Sequence, residues 1–344
     1  MRFVDAKCPN CGAVLKVDES KEAAICEHCG SAFIIEKAIQ QFNITNIINN
    51  NITAHTVNIY TESDFAIEAH VLKRYKGADS IVHIPDNVKI SECVFPEGVK
   101  EIYYPDSVIA INNRFPKSLE AIRLPSGVTR LPDSSFENCE NLKQVVLPAS
   151  LKAISENCFK NCKSLKTIEL PNGIETIGRY AFQDSGLCSI NLPKTIKTIG
   201  LAALSKTKIE RIEIPGIKEC GYFCSSCEEL KTAVLSQGIT KIYATFRWCS
   251  KLENVNIPRG VVAIEDAFQD CKSLTKLFIP STVTSISEHA FDGCKMLTIY
   301  CETKKPAIGQ PKGWHRNWAK DVWNKPAVKN VVWGMSEEEF NKLL

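Results

Sequence analysis

Residues 118–280 repeat one phrase, Leu-x-x-Φ-x-Φ-Pro with Φ apolar, and this repeat restricts the possible fold more than any other feature of the chain. It reads SLEAIRLP, NLKQVVLP, SLKTIELP, GLCSINLP, KIERIEIP, KLENVNIP and SLTKLFIP, and Ser236 of ELKTAVLS fills the one gap. The closing prolines are Pro125, Pro148, Pro171, Pro193, Pro215, Pro258 and Pro280, so one unit takes 21 to 23 residues. Each unit continues with a second apolar pattern, such as GIETIG or TVTSIS, and then a corner such as CFKNC or AFDGC. A strand of about six residues has one face to bury and nothing within its own unit to bury it against, so successive units must stack as coils. Stacking predicts a mainly β chain with short helical turns, wound as a right-handed solenoid that carries a parallel sheet. Leu165, Ile168 and Leu170 should point inward, and Lys166, Thr167 and Glu169 outward. Proline after the strand removes a ladder donor and ends the pairing.

The ends of such a stack need covers, because an open sheet presents bare strand edges. The first coils are shorter, with Pro85, Pro105 and Pro125 twenty residues apart. Residues 64–84 are expected to cap the N-terminal end, and 300–344, which hold Trp314, Trp318, Trp323 and Trp333, the C-terminal one. The closing MSEEEFNKLL reads as a short helix with Ser336 as N-cap, Glu339 closing a capping box, and Met335 against Phe340 as a staple.

Sixteen cysteines occur in the chain, and they fall into two patterns. Cys139, Cys162, Cys227, Cys249, Cys271 and Cys294 each precede the template leucine or its equivalent by three residues. They form a column that suits a tight corner, where a buried thiol behaves as a small hydrophobe. In ECGYFCSSC, aligning the coil places Cys224 at the usual Phe and Cys220 at the usual Ile, which reads as core and not as a ligand cluster. Free thiols are expected throughout this part. The other pattern is CPNCG followed, fourteen residues after Cys11, by CEHCG. Cys8, Cys11, Cys26 and Cys29 make two C-x-x-C knuckles whose four thiolates suit one tetrahedral structural Zn²⁺. So short a segment builds no core of its own, and metal binding would supply most of its folding free energy. Residues 1–37 are therefore expected to be a zinc ribbon, with His28 a bystander.

Between the modules, Ala38–Thr61 contains no charged residue and holds six Asn and six Ile. The segment 38–63 is either a linker or a strand through which copies of the chain pair as a homo-oligomer. The formal net charge of +3 is close to balance, and the acidic and basic residues of 1–37 are matched, which argues against nucleic acid as partner. The opening MRFVDAKCPNCG lacks the apolar core of a secretory signal, and no run of about eighteen apolar residues occurs, so the expectation is a cytoplasmic chain without membrane insertion.

The recurring text IP..V..I...AF..C..L resembles the BspA-type leucine-rich repeat family over about residues 64–333, and the tail PKGWHRNW…PAVKNVVWG is similar to that family's usual ending. The resemblance implies a bacterial solenoid of the kind that binds proteins or cell surfaces, and it brings no catalytic residues with it. No phosphate-binding, dinucleotide, zinc-protease or nucleophile-elbow motif is present, so no enzyme is expected. The expected function is a protein-binding scaffold. Its partner would meet the outward strand positions Arg123, Val146, Glu169, Asn191, Glu213, Val234, Asn256 and Phe278, and the ribbon would serve as a second interaction module. The alternatives are nucleic-acid association through the ribbon, or a bacterial surface adhesin.

Overall fold

The computed structural model describes the backbone of residues 3–7, 14–18, 23–25 and 32–34, and residues 64–321 and 325–343 in full. The chain divides into two compact units, Met1–Ser63 and Asp64–Leu344. In the first, Phe3–Lys7 pairs antiparallel with Val14–Asp18, and Ala23–Ile25 antiparallel with Ala32–Ile34. Cys8, Cys11, Cys26 and Cys29, Trp323 of the tail, and the uncharged segment 38–61 lie outside the described residues.

The second unit is the expected parallel solenoid, with one addition. Each coil contributes to two ladders, because the second apolar pattern alternates in the same way as the first. The template strands stack in parallel from Ile81–His83 through Glu101–Tyr103 and Ala121–Arg123 to Gln144–Val146, and again from Arg211–Ile214 to Thr232–Leu235 and Asn254–Val255. Between these runs, residues 165–170 and 187–192 stack without regular strand pairing, held by Cys188 N–H to Lys166 O at 2.9 Å and Lys208 N–H to Leu187 O at 2.8 Å. The second ladder is continuous over the same stretch, running Arg130–Leu131, Ala153–Ile154, Thr176–Ile177 and Thr198–Ile199. Leu165, Ile168 and Leu170 are buried, whereas Lys166, Thr167 and Glu169 are exposed.

Corners close the third side of each coil with a column of rings. Phe95, Phe115, Phe136, Phe159 and Phe182 stack one on the next, with the last three steps at 4.4, 5.0 and 5.3 Å. The column breaks where Leu204 and Cys224 take the Phe place, and it resumes at Phe246, Phe268 and Phe291. At the break Phe223 takes the place that Ala181, Ala203, Ala267 and Ala290 hold in other coils, which restores the lost volume. The hydrogen bond from Leu204 N–H to Phe223 O continues the series made by Phe182 N–H to Ala203 O and Phe268 N–H to Ala290 O. Large and small have exchanged neighbouring positions, so the core stays filled.

Both ends are closed. Phe65–Glu68 folds antiparallel on Val71–Tyr75 at the N-terminal end. At the other end Asn330–Trp333 pairs in parallel with Thr298–Cys301, and Trp314 bridges Ile286 at the edge of the second ladder. Trp314 and Trp318 are buried edge to face, with Trp333 beside both and Trp318 against Phe291. Trp314 Nε1 donates to Val283 O, so its one polar atom is satisfied. Among the described residues no helix is long and apolar enough to cross a membrane.

Candidate interaction surface

Two residues before each closing position, the first ladder turns one side chain outward. Register places Tyr103 beside Arg123 and Arg123 beside Val146, and further along it places Glu213 beside Val234. Arg123, Val146, Glu169, Asn191, Glu213 and Asn256 are exposed, and Val234 is half-buried. Phe278 corrects the expectation: it stands in the column beside Tyr300, yet only 6% of it is exposed. The terminal helix Glu337–Asn341 lies over it, with the Phe340 ring 5.5 Å from that of Phe278 and 5.2 Å from that of Tyr300. The spacing that suggests a Met335–Phe340 staple gives no sign of these two partners from the ladder.

The column also extends in ways the repeat phrase leaves out. His83 and Tyr103 precede Pro85 and Pro105 by two residues, as Arg123 precedes Pro125, and their rings stack at 4.6 Å. Counting back from proline would have found them. Burial lowers the His83 imidazole to about 4, so this end of the column is neutral at physiological pH.

Charges flanking the column are already paired between coils. Glu120 takes Lys100 at 3.2 Å and Lys143 at 2.7 Å, and Glu210 takes Lys231 at 2.9 Å. Such exposed pairs contribute little to stability, but they balance charge along the face, where polar and apolar groups alternate. No basic run of the kind a phosphate backbone needs is present on it.

The cysteine column is structural. Its six thiols are buried, and each donates to a carbonyl of the preceding coil: Cys139 to Pro116, Cys162 to Phe136, Cys227 to Leu204, Cys249 to Cys224, Cys271 to Phe246 and Cys294 to Phe268, at 3.0–3.4 Å. Burial pushes the Cys139, Cys220 and Cys294 thiols up to about 12, and raises Cys224 and Cys249 beside Cys227. The five raised thiols stay protonated at neutral pH, whereas hydrogen bonds from Cys224 and Cys249 lower Cys227, which is itself fully enclosed in the core. The described cysteines are free, and among the described residues no group of three or more His, Cys, Asp or Glu is arranged to hold a metal ion.

The family model of the BspA type leucine rich repeat region matches residues 66–182, 113–224, 152–266 and 243–310, which together span most of the chain. The chain belongs to the BspA-type leucine-rich repeat family. Among solved structures, this BspA-type chain is similar to a leucine rich cell surface protein from Faecalibacterium prausnitzii, at 19% identity over 84% of this chain and 98% of that one, with a TM-score of 0.40. It is also similar to a leucine-rich repeat protein from Bacteroides ovatus, at 21% identity over 83% and 92% with a TM-score of 0.42. The pneumococcal vaccine antigen PcpA is similar at 18% identity over 82% and 89% with a TM-score of 0.44. No curated protein matches the chain.

Proposed function

We propose that this BspA-type chain is a non-catalytic protein-binding scaffold, with its partner docked on the outward column of the first ladder and a zinc ribbon at residues 1–37 as a second interaction module. The observation that carries the reading is the column itself. Arg123, Val146, Glu169, Asn191, Glu213, Val234 and Asn256 recur two residues before the closing position of successive coils, with Arg123 beside Val146 and Glu213 beside Val234 in register, and they combine charge, amide and apolar groups. A surface built on stacked coils is ordered before the partner arrives, so little side-chain and loop entropy is lost on docking. For the ribbon, support comes from the donor set of Cys8, Cys11, Cys26 and Cys29, and from two antiparallel strand pairs that flank the two knuckles in sequence. When bound, one Zn²⁺ would hold those four thiolates and tie the two strand pairs together.

Partner retention from a nuclease-treated native lysate tests the docking face. The double variant Arg123→Glu, Glu213→Lys should retain the partner at least about tenfold less than wild type, as loss of interface anchors does. Unchanged retention rejects the column. Elemental analysis tests the ribbon: one zinc per chain is expected, and Cys8→Ser should lose it.

A further inference from the structure

The terminal helix is not needed as an end cover. Asn330–Trp333 and the cluster of Trp314, Trp318 and Trp333 already close the stack, and the helix lies instead on the ladder face. It is five residues long, far below the length at which a helix holds itself in water. Its anchors are few. Of residues 336–343 only Phe340 is buried, while Glu337 pairs with Arg259 at 3.1 Å and Lys276 Nζ reaches Leu343 O. The chain turns from the last strand into the helix at Gly334, which has a φ of +74°; Gly334 N–H still donates to Thr303 O at 2.9 Å and Met335 N–H to Cys301 O at 3.1 Å, so the lightly held part of the tail begins after Met335.

What the tail covers is as informative as how lightly it is held. Phe278 and Tyr300 are register neighbours in the outward column, with the cations Arg259, which also holds Glu302 at 2.8 and 3.1 Å, and Lys276 beside them. The tail meets them with complementary chemistry: Glu337 of the acidic first turn on Arg259, then Phe340 on the two rings, while Glu338 pairs with Lys342 and Glu339 caps the helix at Ser336. We propose that Phe278, Tyr300, Arg259 and Lys276 form a recognition subsite at the C-terminal end of the ladder face. The tail occupies it in cis, and it accepts in trans a short helical partner segment with an acidic first turn followed by phenylalanine. The inference rests on the reading of the ladder face as the docking surface. A partner segment and the tail compete for one place, so the apparent affinity for the partner is the intrinsic affinity reduced by the fraction of molecules whose tail is open.

The test uses the full chain and a fluorescent synthetic peptide with the sequence of residues 335–344, MSEEEFNKLL. A short tether holds the tail at an effective concentration on the order of millimolar, so a tail that stays closed in cis implies a peptide Kd below about 1 mM in trans. Phe340→Ala should bind the peptide at least about tenfold more tightly than wild type, because the competing fraction is removed. Glu337→Gln, which touches only the Arg259 pair, should move binding in the same direction by less, and should do so even where Phe340→Ala folds poorly. A peptide with its phenylalanine replaced by alanine should not bind, and Phe278→Ala placed in the Phe340→Ala chain should abolish binding. No binding at 1 mM peptide, or equal binding by wild type and both opened variants, overturns the subsite. If that failure comes while Arg123→Glu, Glu213→Lys still weakens partner retention, the ladder reading stands and the tail is only a cover. Partner retention unaffected by those two substitutions overturns the ladder reading instead.

Discussion

At the residue scale, the cysteine column shows why sulfur and not oxygen recurs at one corner. The thiol of Cys162 sits in an apolar niche yet reaches 3.2 Å to the Phe136 carbonyl one coil back, so it fills space and adds a second donor to an acceptor that Cys139 N–H also reaches. Where hydroxyls take the same place the fit is poorer. Thr207 turns back to Leu204 O within its own coil at 2.8 Å, and Ser185 Oγ is buried with no hydrogen-bond partner. Cys162→Ala should therefore cost about 1 kcal/mol, from the small cavity together with the loss of a second hydrogen bond to Phe136 O, which keeps the one from Cys139 N–H at 3.1 Å. Urea midpoints measure it, and a change under about 0.5 kcal/mol, the size of an ordinary surface substitution, would mean that the carbonyl does not depend on the thiol. Alkylation gives a parallel check: in the native solenoid Cys188, which is exposed, should label well before the column, and denaturation without reductant should release the rest. The position of this column is legible in the repeat, because a cysteine at one offset in six coils has to be a stacked corner. The bond it makes is not legible, since the acceptor belongs to the coil before.

Single coils are joined by side chains that reach across turns, and Glu302 gathers several of them. It accepts from Arg259 at 2.8 and 3.1 Å and from the Ser281 amide and hydroxyl at 2.7 Å, so three turns converge on one carboxylate. Arg259 first, then Ser281, lowers its pKa from 4.5 to about 2. A carboxyl whose folded pKa is depressed contributes stability above its unfolded pKa and loses it as pH falls through the folded value. Glu302→Gln should accordingly be less stable than wild type at pH 7, with the gap shrinking between pH 4.5 and about 2 and gone below that. A gap that persists at pH 2 in denaturant titrations would assign the loss to packing and not to charge. Local rules also explain what the sequence disclosed about the terminal helix. Ser336 and Glu339 make the expected capping box, because both partners lie within four residues. Phe340 on Phe278 joins positions sixty-two residues apart, and no periodicity carries that contact. Phe278 therefore reads from sequence as an outward residue, like its column neighbours.

For the solenoid as a whole, stability is approximately a sum of coil and nearest-neighbour terms, so damage at one end should stay there. Repetition made this part legible: seven near-copies of one phrase disclose the stacking, the inward and outward positions, and the need for lids. The second ladder is harder to read, since its strands are two or three residues long and their alternation is too brief to separate from a turn. The C-terminal lid offers the sharpest test of local coupling. Trp314 is 4% exposed, lies across the last rung of that second ladder and packs on Trp318 and Trp333, so Trp314→Ala should cost about 3–5 kcal/mol where the ring sits. In native-state hydrogen exchange, amides of residues 276–301 should then exchange much faster. Those of the ladder rungs Ala121–Arg123 and Ala153–Ile154 should keep wild-type protection, because no contact links them to the lid except through every coil between. Equal acceleration along the whole chain would mean that the coils unfold as one cooperative block. The lightly held tail would then open only with global unfolding, and a displaceable cover on the ladder face could not operate in the native molecule.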